Sequence, residues 1–391
     1  MIRRGRIITA ILLCGALAAL SACTIPTRPA WMQSHSAPSS SPARSGGNPT
    51  SAQTSVLTVS HPWHAGMRQL GIQVYWVANK ADSAAVVRVK ASRIVDYAIS
   101  LGANSIALTF PFYTEGITSD KVFRDASTTP SPALISIFLA VARESHIRVT
   151  LRPILNETVL IAQDPIAWRG SIKPTDVAAW FRSYRRLLTP YAEAAQAGGA
   201  ATFVVGTELE SLEQAPEWPS LITSIRSVYT GQLLYAENFD EFAKHDSELP
   251  LATFGVDAYP RFNLPDSASV STLTTAWDNW LGTHTTTVLH KVILEEVGID
   301  AVANSYPDPG AWITTTHAPI DLAVQTKWYQ AVCRAVQDEH LDGVYWWEVP
   351  FDADPAAPRG WESDRLTFLG RPAQDVIKSC FASLAAGSTA P

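Results

Sequence analysis

Eight short runs rich in β-branched and aromatic residues recur along this sequence with amphipathic stretches between them, and that alternation limits the fold more than any other feature. The runs are Gly71–Val77, Ser105–Phe110, Arg148–Arg152, Thr202–Gly206, Leu233–Ala236, Thr253–Asp257, Val292–Glu296 and Gly343–Trp347. Between them, Ala84–Leu101, Ser131–Ser145, Thr175–Ala197 and Leu322–His340 carry apolar residues three and four apart with charges interspersed, the pattern of helices that bury one face. Strands alternating with helices imply a parallel sheet, because parallel neighbours need a long crossover connection. Eight such units in succession predict an α/β fold, a (β/α)8 TIM barrel forming a single domain. An open doubly wound sheet is the structural alternative, although the sequence lacks the glycine-rich phosphate turn that such sheets often carry.

The N-terminus belongs to a different part of the protein's life. Arg3, Arg4 and Arg6 precede an uncharged apolar run from Ile7 to Leu20, followed by Leu20-Ser21-Ala22-Cys23. This layout resembles a bacterial lipobox, in which residues 1–22 are a signal peptide and Cys23 is acylated as the first mature residue. A plain signal peptide cut nearby is the alternative; a membrane span would need roughly 20 apolar residues. Residues 23–62 are dense in Ser, Thr, Pro, Ala and Gly and short of large apolar side chains, so they are expected to form a flexible tether. The barrel then occupies 63–383, and 384–391 are expected to be a disordered tail. The mature protein is thus expected outside the cytoplasm, held at the cell membrane by its lipid.

Three of the 30 Lys and Arg residues leave with the signal, so 27 face 36 Asp and Glu in the mature chain. That acidic balance argues against nucleic acid as a partner. Cys14 also leaves, and with Cys23 lipidated only Cys333 and Cys380 remain. An oxidising compartment would join them as a disulfide; two buried thiols are the alternative.

Barrels of this type present their functional side chains where strands end at the C-terminal face. Here those ends are Arg152-Pro153, Gly206-Thr207-Glu208, Glu237-Asn238, Asp257-Ala258-Tyr259, Glu295-Glu296 and Trp346-Trp347-Glu348. Carboxylates, an amide and aromatic rings therefore converge on one mouth. Cleaving an acetal requires a proton for the leaving oxygen and negative charge beside the sugar carbon as it becomes cationic, and two carboxyl groups supply both. Glu208 and Glu296 end the fourth and seventh runs, which lie across the mouth from one another. If Glu208 points inward, alternation places Val204 and Gly206 inward and Phe203 and Val205 towards the helices. Likewise an inward Glu296 puts Leu294 inward, Ile293 outward and Glu295 towards the helix layer. Of Trp346 and Trp347, adjacent on one strand, at least one belongs to barrel packing.

At these residues the chain resembles glycoside hydrolase family 113, a group of β-mannanase-like barrels. The likeness rests on Phe203-Val204-Val205-Gly206-Thr207-Glu208-Leu209, on Trp168-Arg169-Gly170 with Ala179-Trp180-Phe181, Tyr184 and Tyr191, and on Tyr235-Ala236-Glu237-Asn238-Phe239-Asp240-Glu241. Gly255-Val256-Asp257-Ala258-Tyr259, Glu296-Val297-Gly298 and Gly343-Val344-Tyr345-Trp346-Trp347 continue it across the whole barrel. The resemblance implies retaining hydrolysis of a β-linked polysaccharide or oligosaccharide, β-1,4-mannan among them, with Glu208 as acid/base and Glu296 as nucleophile. Tyr259 would then hold the nucleophile, Arg152, Asn238 and Asp257 would belong to the sugar-binding set, Trp346 or Trp347 would floor the bound ring and Trp168 would wall the cleft. The sequence departs from the family at Ile154, at Pro260-Arg261-Phe262, at Ile299-Asp300 and at Glu348-Val349-Pro350, changes that spare both carboxylates and alter the walls.

Two other readings remain at this stage. A sugar-binding lipoprotein would use similar side chains but fold as two lobes without facing carboxylates, and a barrel that has lost catalysis would bind glycan only. A metal hydrolase has little support, since the nine His are scattered and no HExxH-like run occurs. The expected partners are a glycan and, through the lipid, the membrane. No cofactor is expected, and the chain is expected to act as a monomer.

Overall fold

The computed structural model describes residues 56–244, 249–310, 318–358 and 365–387. Cys23, the signal and most of the tether lie outside the described residues. The strands are β1 Gln69–Tyr75, β2 Ser105–Thr114, β3 Val122–Phe123, β4 Arg148–Leu155, β5 Thr202–Thr207, β6 Gln232–Asn238, β7 Phe254–Asp257, β8 Val292–Val297 and β9 Gly343–Pro350. The helices are α1 Ala84–Ser100, α2 Pro132–Glu144, α3 Thr158–Gln163, α4 Val177–Gly198, α5 Trp218–Arg226, α6 Phe239–Lys244, α7 Val270–Leu281, α8 Thr286–Leu289, α9 Leu322–Asp338 and α10 Pro372–Gly387. Strand order is β1-β9-β8-β7-β6-β5-β4-β2, and β1 pairs with β2 to close the ring. All eight of those pairings are parallel, so the expected (β/α)8 barrel is the fold. The short β3 stands outside the ring, antiparallel to the far end of β2 through Tyr113↔Phe123 and Thr114↔Val122.

Local chemistry starts and stops the helices. Ser83, Ser131, Asp176, Ser269 and Asp321 each accept a backbone N–H of the first turn with the side chain, replacing a partner the helix cannot supply. Pro132 occupies the first turn of α2, where its missing N–H costs nothing, and Gly199 closes α4 in the left-handed conformation at φ 76°. The strands run further than composition suggests. Pro111 and Pro153 read as stops, yet β2 and β4 stay in register through Phe110↔Pro153, Pro111↔Ile154 and Phe112↔Leu155. Asn156 N–H still donates to Phe112 O at 2.8 Å beyond them, so the missing proline donors do not end the ladder.

Two layers of side chains fill the molecule. The larger lies between sheet and helices and includes Trp180, Trp218, Trp277, Trp328 and Trp346, all essentially inaccessible. The smaller, inside the ring, contains Ala107, Val204, Leu234, Ala236, Ile293 and Tyr345. Polar side chains share this interior because they satisfy one another. Arg148 donates to the Thr150 and Tyr345 hydroxyls at 2.9 Å, and the Tyr345 hydroxyl donates to Gln69 at 2.8 Å. The Arg148 guanidinium also lies 4.9 Å from the Trp63 ring.

The packed chain is slightly wider than the 63–383 span read from composition. Val59 is buried with its N–H on Ser145 O (3.0 Å), and α10 continues to Gly387 with Leu384 buried, because its apolar face extends that far. Cys333 on α9 and Cys380 on α10 form a disulfide with Cα atoms 5.8 Å apart. Closing a loop across 47 positions restricts the unfolded chain, and replacing both cysteines by Ala should lower unfolding free energy by up to about 4 kcal/mol. Urea denaturation of the signal-free protein measures this, and an unchanged midpoint would show that the bond contributes nothing.

Candidate active site

Two β-bulges, neither visible in the sequence, aim the carboxylates. Along β5 and β6 the register runs Phe203↔Leu233, Val204↔Leu234 and then Gly206↔Tyr235, so Val205 is the extra residue. Gly206 consequently faces the helix layer rather than the interior as strict alternation requires. A Cβ there would lie 2.7 Å from the Tyr235 ring and 2.8 Å from Trp218, so no larger residue fits without movement. Two residues on, Glu208 adopts φ 50°, a left-handed backbone unusual for a non-glycine residue. Flanking bonds hold it. Glu208 N–H donates to Ala236 O (2.8 Å), Leu209 N–H donates to the Tyr235 hydroxyl (2.8 Å), and that hydroxyl donates to Glu213 (2.8 Å).

On β8 the register steps from Val256↔Leu294 to Asp257↔Glu296, and Glu295 is the extra residue. The alternation argument fails here too. Ile293 lies inside the ring and Leu294 in the sheet–helix layer, the reverse of the sequence expectation. Glu295 is fully buried in the barrel interior near Arg152 and Arg148 instead of facing the helices, and burial pushes its carboxyl up to about 7. Because the bulge takes up one residue, Glu296 still reaches the mouth.

The Glu296 carboxylate is held on both oxygens. Oε1 accepts from Arg152 Nη1, and Oε2 accepts from the Tyr259 hydroxyl at 2.9 Å. The other Arg152 nitrogen, Nη2, donates to Asp257 Oδ2, and both Arg152 and Asp257 are wholly inaccessible. Burial, with Glu296 beside it, pushes the Tyr259 phenol well above its ordinary range, so it remains a neutral donor.

Glu208 has a different setting. Burial raises its carboxyl to about 7, the neighbouring Glu296 adds to the rise, and Arg169 opposes it. Arg169 Nη1 donates to Glu208 Oε2, while Nε donates to Leu155 O (3.0 Å) and Nη2 lies 3.3 Å from Glu157 Oε1. The turn carrying Arg169 depends on Gly170, where a Cβ would meet the Trp168 ring at 2.4 Å.

Both carboxylates open on one cleft of about 730 Å³. Trp168, Asn238, Tyr259 and Trp347 line it, as the sequence reading expects, together with Tyr75 and Glu157. Three expectations need correction. Arg152 and Asp257 lie beneath the cleft as a buried ion pair and do not reach its surface, because each points inward on its strand against the other's charge. Trp346 points the opposite way from Trp347 and is wholly buried against Tyr329, ring centroids 4.6 Å apart, so only Trp347 can meet a sugar. Sequence reasoning missed Arg169 and Glu157 as site residues. Glu157 stands just before α3 and Arg169 in a short turn after it, where no period distinguishes a site charge from a solvated one; the family-like Trp168-Arg169-Gly170 is the one signal that points to Arg169. At the rim, Glu210, Asp240 and Glu241 bring ligand oxygens within 4.8 Å of one another. There Glu241 accepts from Lys244, and burial and Glu241 push Glu210 up to about 7.

The model of glycoside hydrolase family 113 matches residues 77–360. No curated protein matches the chain in sequence. Among solved structures, a family 113 β-1,4-mannanase superposes with TM-score 0.67 at 18% identity, covering 81% of this chain and 99% of that one. The family 113 β-mannanase AaManA of Alicyclobacillus acidocaldarius, in complex with ManMIm, gives 0.66 at 21% identity, covering 82% and 98%. The endo-β-1,4-mannanase of Thermotoga petrophila gives 0.51 at 13% identity, covering 82% and 78%. These likenesses agree with the barrel fold, and the family match extends through every strand from β2 to β9 and so includes both cleft carboxylates. The chain belongs to glycoside hydrolase family 113.

Proposed function

We propose that this glycosidase cleaves a β-linked polysaccharide by double displacement, with Glu296 as nucleophile and Glu208 as acid/base. The observation that carries the assignment is the contrast between the two carboxyl groups. Glu296 accepts hydrogen bonds from a guanidinium and a phenol on its two oxygens, which hold it in place, whereas burial keeps a proton on Glu208 up to about pH 7. In the first step Glu296 bonds to the anomeric carbon as the glycosidic bond breaks, and the Glu208 proton passes to the departing oxygen. In the second, Glu208 takes a proton from water, and the water oxygen displaces Glu296 from the sugar carbon. Trp347 and Trp168 offer ring faces to the sugar, and Asn238 an amide for its hydroxyls.

The mannanases that share the fold support β-1,4-mannan as the first substrate to test. The departures from the family pattern at Ile154, Arg261 and Glu348 all line the cleft, so they bear on which side groups of the glycan it admits. A panel of β-mannan, β-glucan, xylan and galactan would name the sugar. We also propose that the enzyme works as a monomer at the outer face of the cell membrane, anchored through Cys23; the lipobox-like Leu20-Ser21-Ala22-Cys23 and the polar segment after it support this.

Replacing Glu296 by Ala should abolish turnover, and azide or formate should restore it with a product of inverted configuration, because the anion takes the place of the missing carboxylate. The Glu208→Ala variant should lose about 10²–10⁴-fold on polysaccharide while keeping activated aryl glycosides, whose leaving group needs no proton. Full activity in either variant would refute the assignment. For the wild type, kcat/KM should fall as pH rises through about 7, since the acid must start protonated. Cys23→Ser should release the protein from membranes, and a lipid-free wild type by mass spectrometry would end the anchoring proposal.

A further inference from the structure

Arg169 presents a chemical problem that the proposed mechanism leaves open. A general acid must hold its proton, yet Nη1 of Arg169 donates to Glu208 Oε2, and a guanidinium in that position favours the ionised carboxylate. The contact is not a loose surface pairing. Nε of Arg169 is fixed on Leu155 O at 3.0 Å, its own N–H donates to Glu157 Oε1 at 3.1 Å, and Nη2 lies 3.3 Å from the same oxygen. Arg169 is thus aimed at Glu208 from one side and partly neutralised by Glu157 from the other.

We propose that Arg169 and Glu157 act together as a positioning pair that sets the proton affinity of Glu208, favouring its acid form before glycosylation and its base form afterwards. The inference rests on reading Glu208 as the acid/base. The groups that face Glu208 are Arg169 and Glu157 from the loop after β4, Arg152 from β4, Glu296 from β8, Asp257 from β7 and Tyr259 just beyond it. Arg152 is committed to Glu296 and Asp257, and Tyr259 donates to Glu296. In the free enzyme, burial and the negative charges of Glu296 and Glu157 outweigh Arg169 and the more distant Arg152, so the proton stays. When Glu296 becomes an ester of the sugar its charge disappears, while Arg169 keeps its own. The balance at Glu208 then tips towards the ionised form, at the moment when Glu208 must take a proton from water. Glu157 limits how far Arg169 can pull in either state, because it shares the same guanidinium.

Two substitutions should move the alkaline limb of kcat/KM in opposite directions. Arg169→Met removes the cation and should shift the limb upward by about 1–3 pH units, the range expected for an opposite charge at contact distance. Glu157→Gln removes the restraining anion and should shift it downward, and Arg169→Lys should hold it near the wild-type position. With a dinitrophenyl β-mannobioside, Arg169→Met should also show a larger burst of dinitrophenol before a slower steady state, because the second step loses its base-stabilising partner. General loosening of the site would move both variants the same way. A limb that stays in place in all three variants, or shifts in the same direction in Arg169→Met and Glu157→Gln, overturns the proposal. If Arg169→Met fails to fold, Glu157→Gln decides, with a downward shift supporting the pair and an unmoved limb refuting it. Glu208→Ala separates the two levels of argument. If that variant keeps full activity, the acid/base assignment itself falls; if it behaves as an acid/base variant while the limbs stay fixed, only the Arg169–Glu157 pairing falls.

Discussion

Arg152 carries a full charge where no solvent reaches, and the floor of the site is organised around keeping that charge paired. Its two terminal nitrogens are divided between Glu296 and Asp257, which are themselves buried. Taking such groups out of water is expensive, and losing one partner of a buried set costs about 3–5 kcal/mol because the remaining charge is stranded. The three side chains come from β4, β7 and β8. Each strand must therefore close into the ring in the right register before all three charges are satisfied, which ties the geometry of Glu296 to closure of the barrel. Arg152 is better understood as the buried counterion of Glu296 and Asp257 than as a contact for sugar hydroxyls.

The bulges on β5 and β8 do for direction what Arg152 does for charge. In an unbroken strand, neighbours alternate between the ring interior and the helix layer, and a carboxylate at the mouth has its face fixed by every residue before it. An extra residue resets that alternation close to the end. Val205 lets Gly206 slide under Tyr235 and Trp218 while Glu208 turns upward, and Glu295 drops into the interior so that Glu296 reaches the cleft. Bulges also strengthen local twist and are common beside active sites, where they re-aim a side chain. Gly206 is the residue on which the first of these depends, since any Cβ would meet two aromatic rings.

The difference between legible and illegible features follows from that physics. The ring, its eight strands and the ends at which chemistry gathers could be read because periodicity and strand order act over many residues, and errors at one position average out. Glu208 and Glu296 were accessible for the same reason. The facing of Ile293, Leu294, Glu295 and Gly206 was not, because a bulge leaves no periodic trace and depends on the register of a neighbouring strand distant in sequence. Trp346 and Trp347 illustrate a milder case. Alternation shows that they diverge, but only the position of Tyr329 on α9 shows which ring is buried. Trp168-Arg169-Gly170 stands out as a family-like segment, but the pairing of Arg169 with Glu157 and Glu208 does not, because it is defined by where the connection after β4 folds back and by the turn that Gly170 permits.

This division of labour explains how the chain can keep a family's chemistry while changing its cleft. The residues that set charge and direction at the two carboxylates lie on strands or are packed directly against them, and their bonds are interlocked. Ile154, Arg261 and Glu348 depart from the family pattern and line the cleft, and the apolar Ile154 side chain offers neither carboxylate a hydrogen bond. Arg261 instead pairs with Asp308 at 3.0 Å and lies over the Phe239 ring, 5.6 Å from its centroid, bridging two of the loops that wall the site. Such a bridge can change the width and polarity of the groove without disturbing the buried set beneath it. Selection on the glycan can therefore act on the cleft wall almost independently of selection on the hydrolytic step, and Arg169 and Tyr259 are the exceptions that link them, since each lines the groove and bonds to one of its two carboxylates.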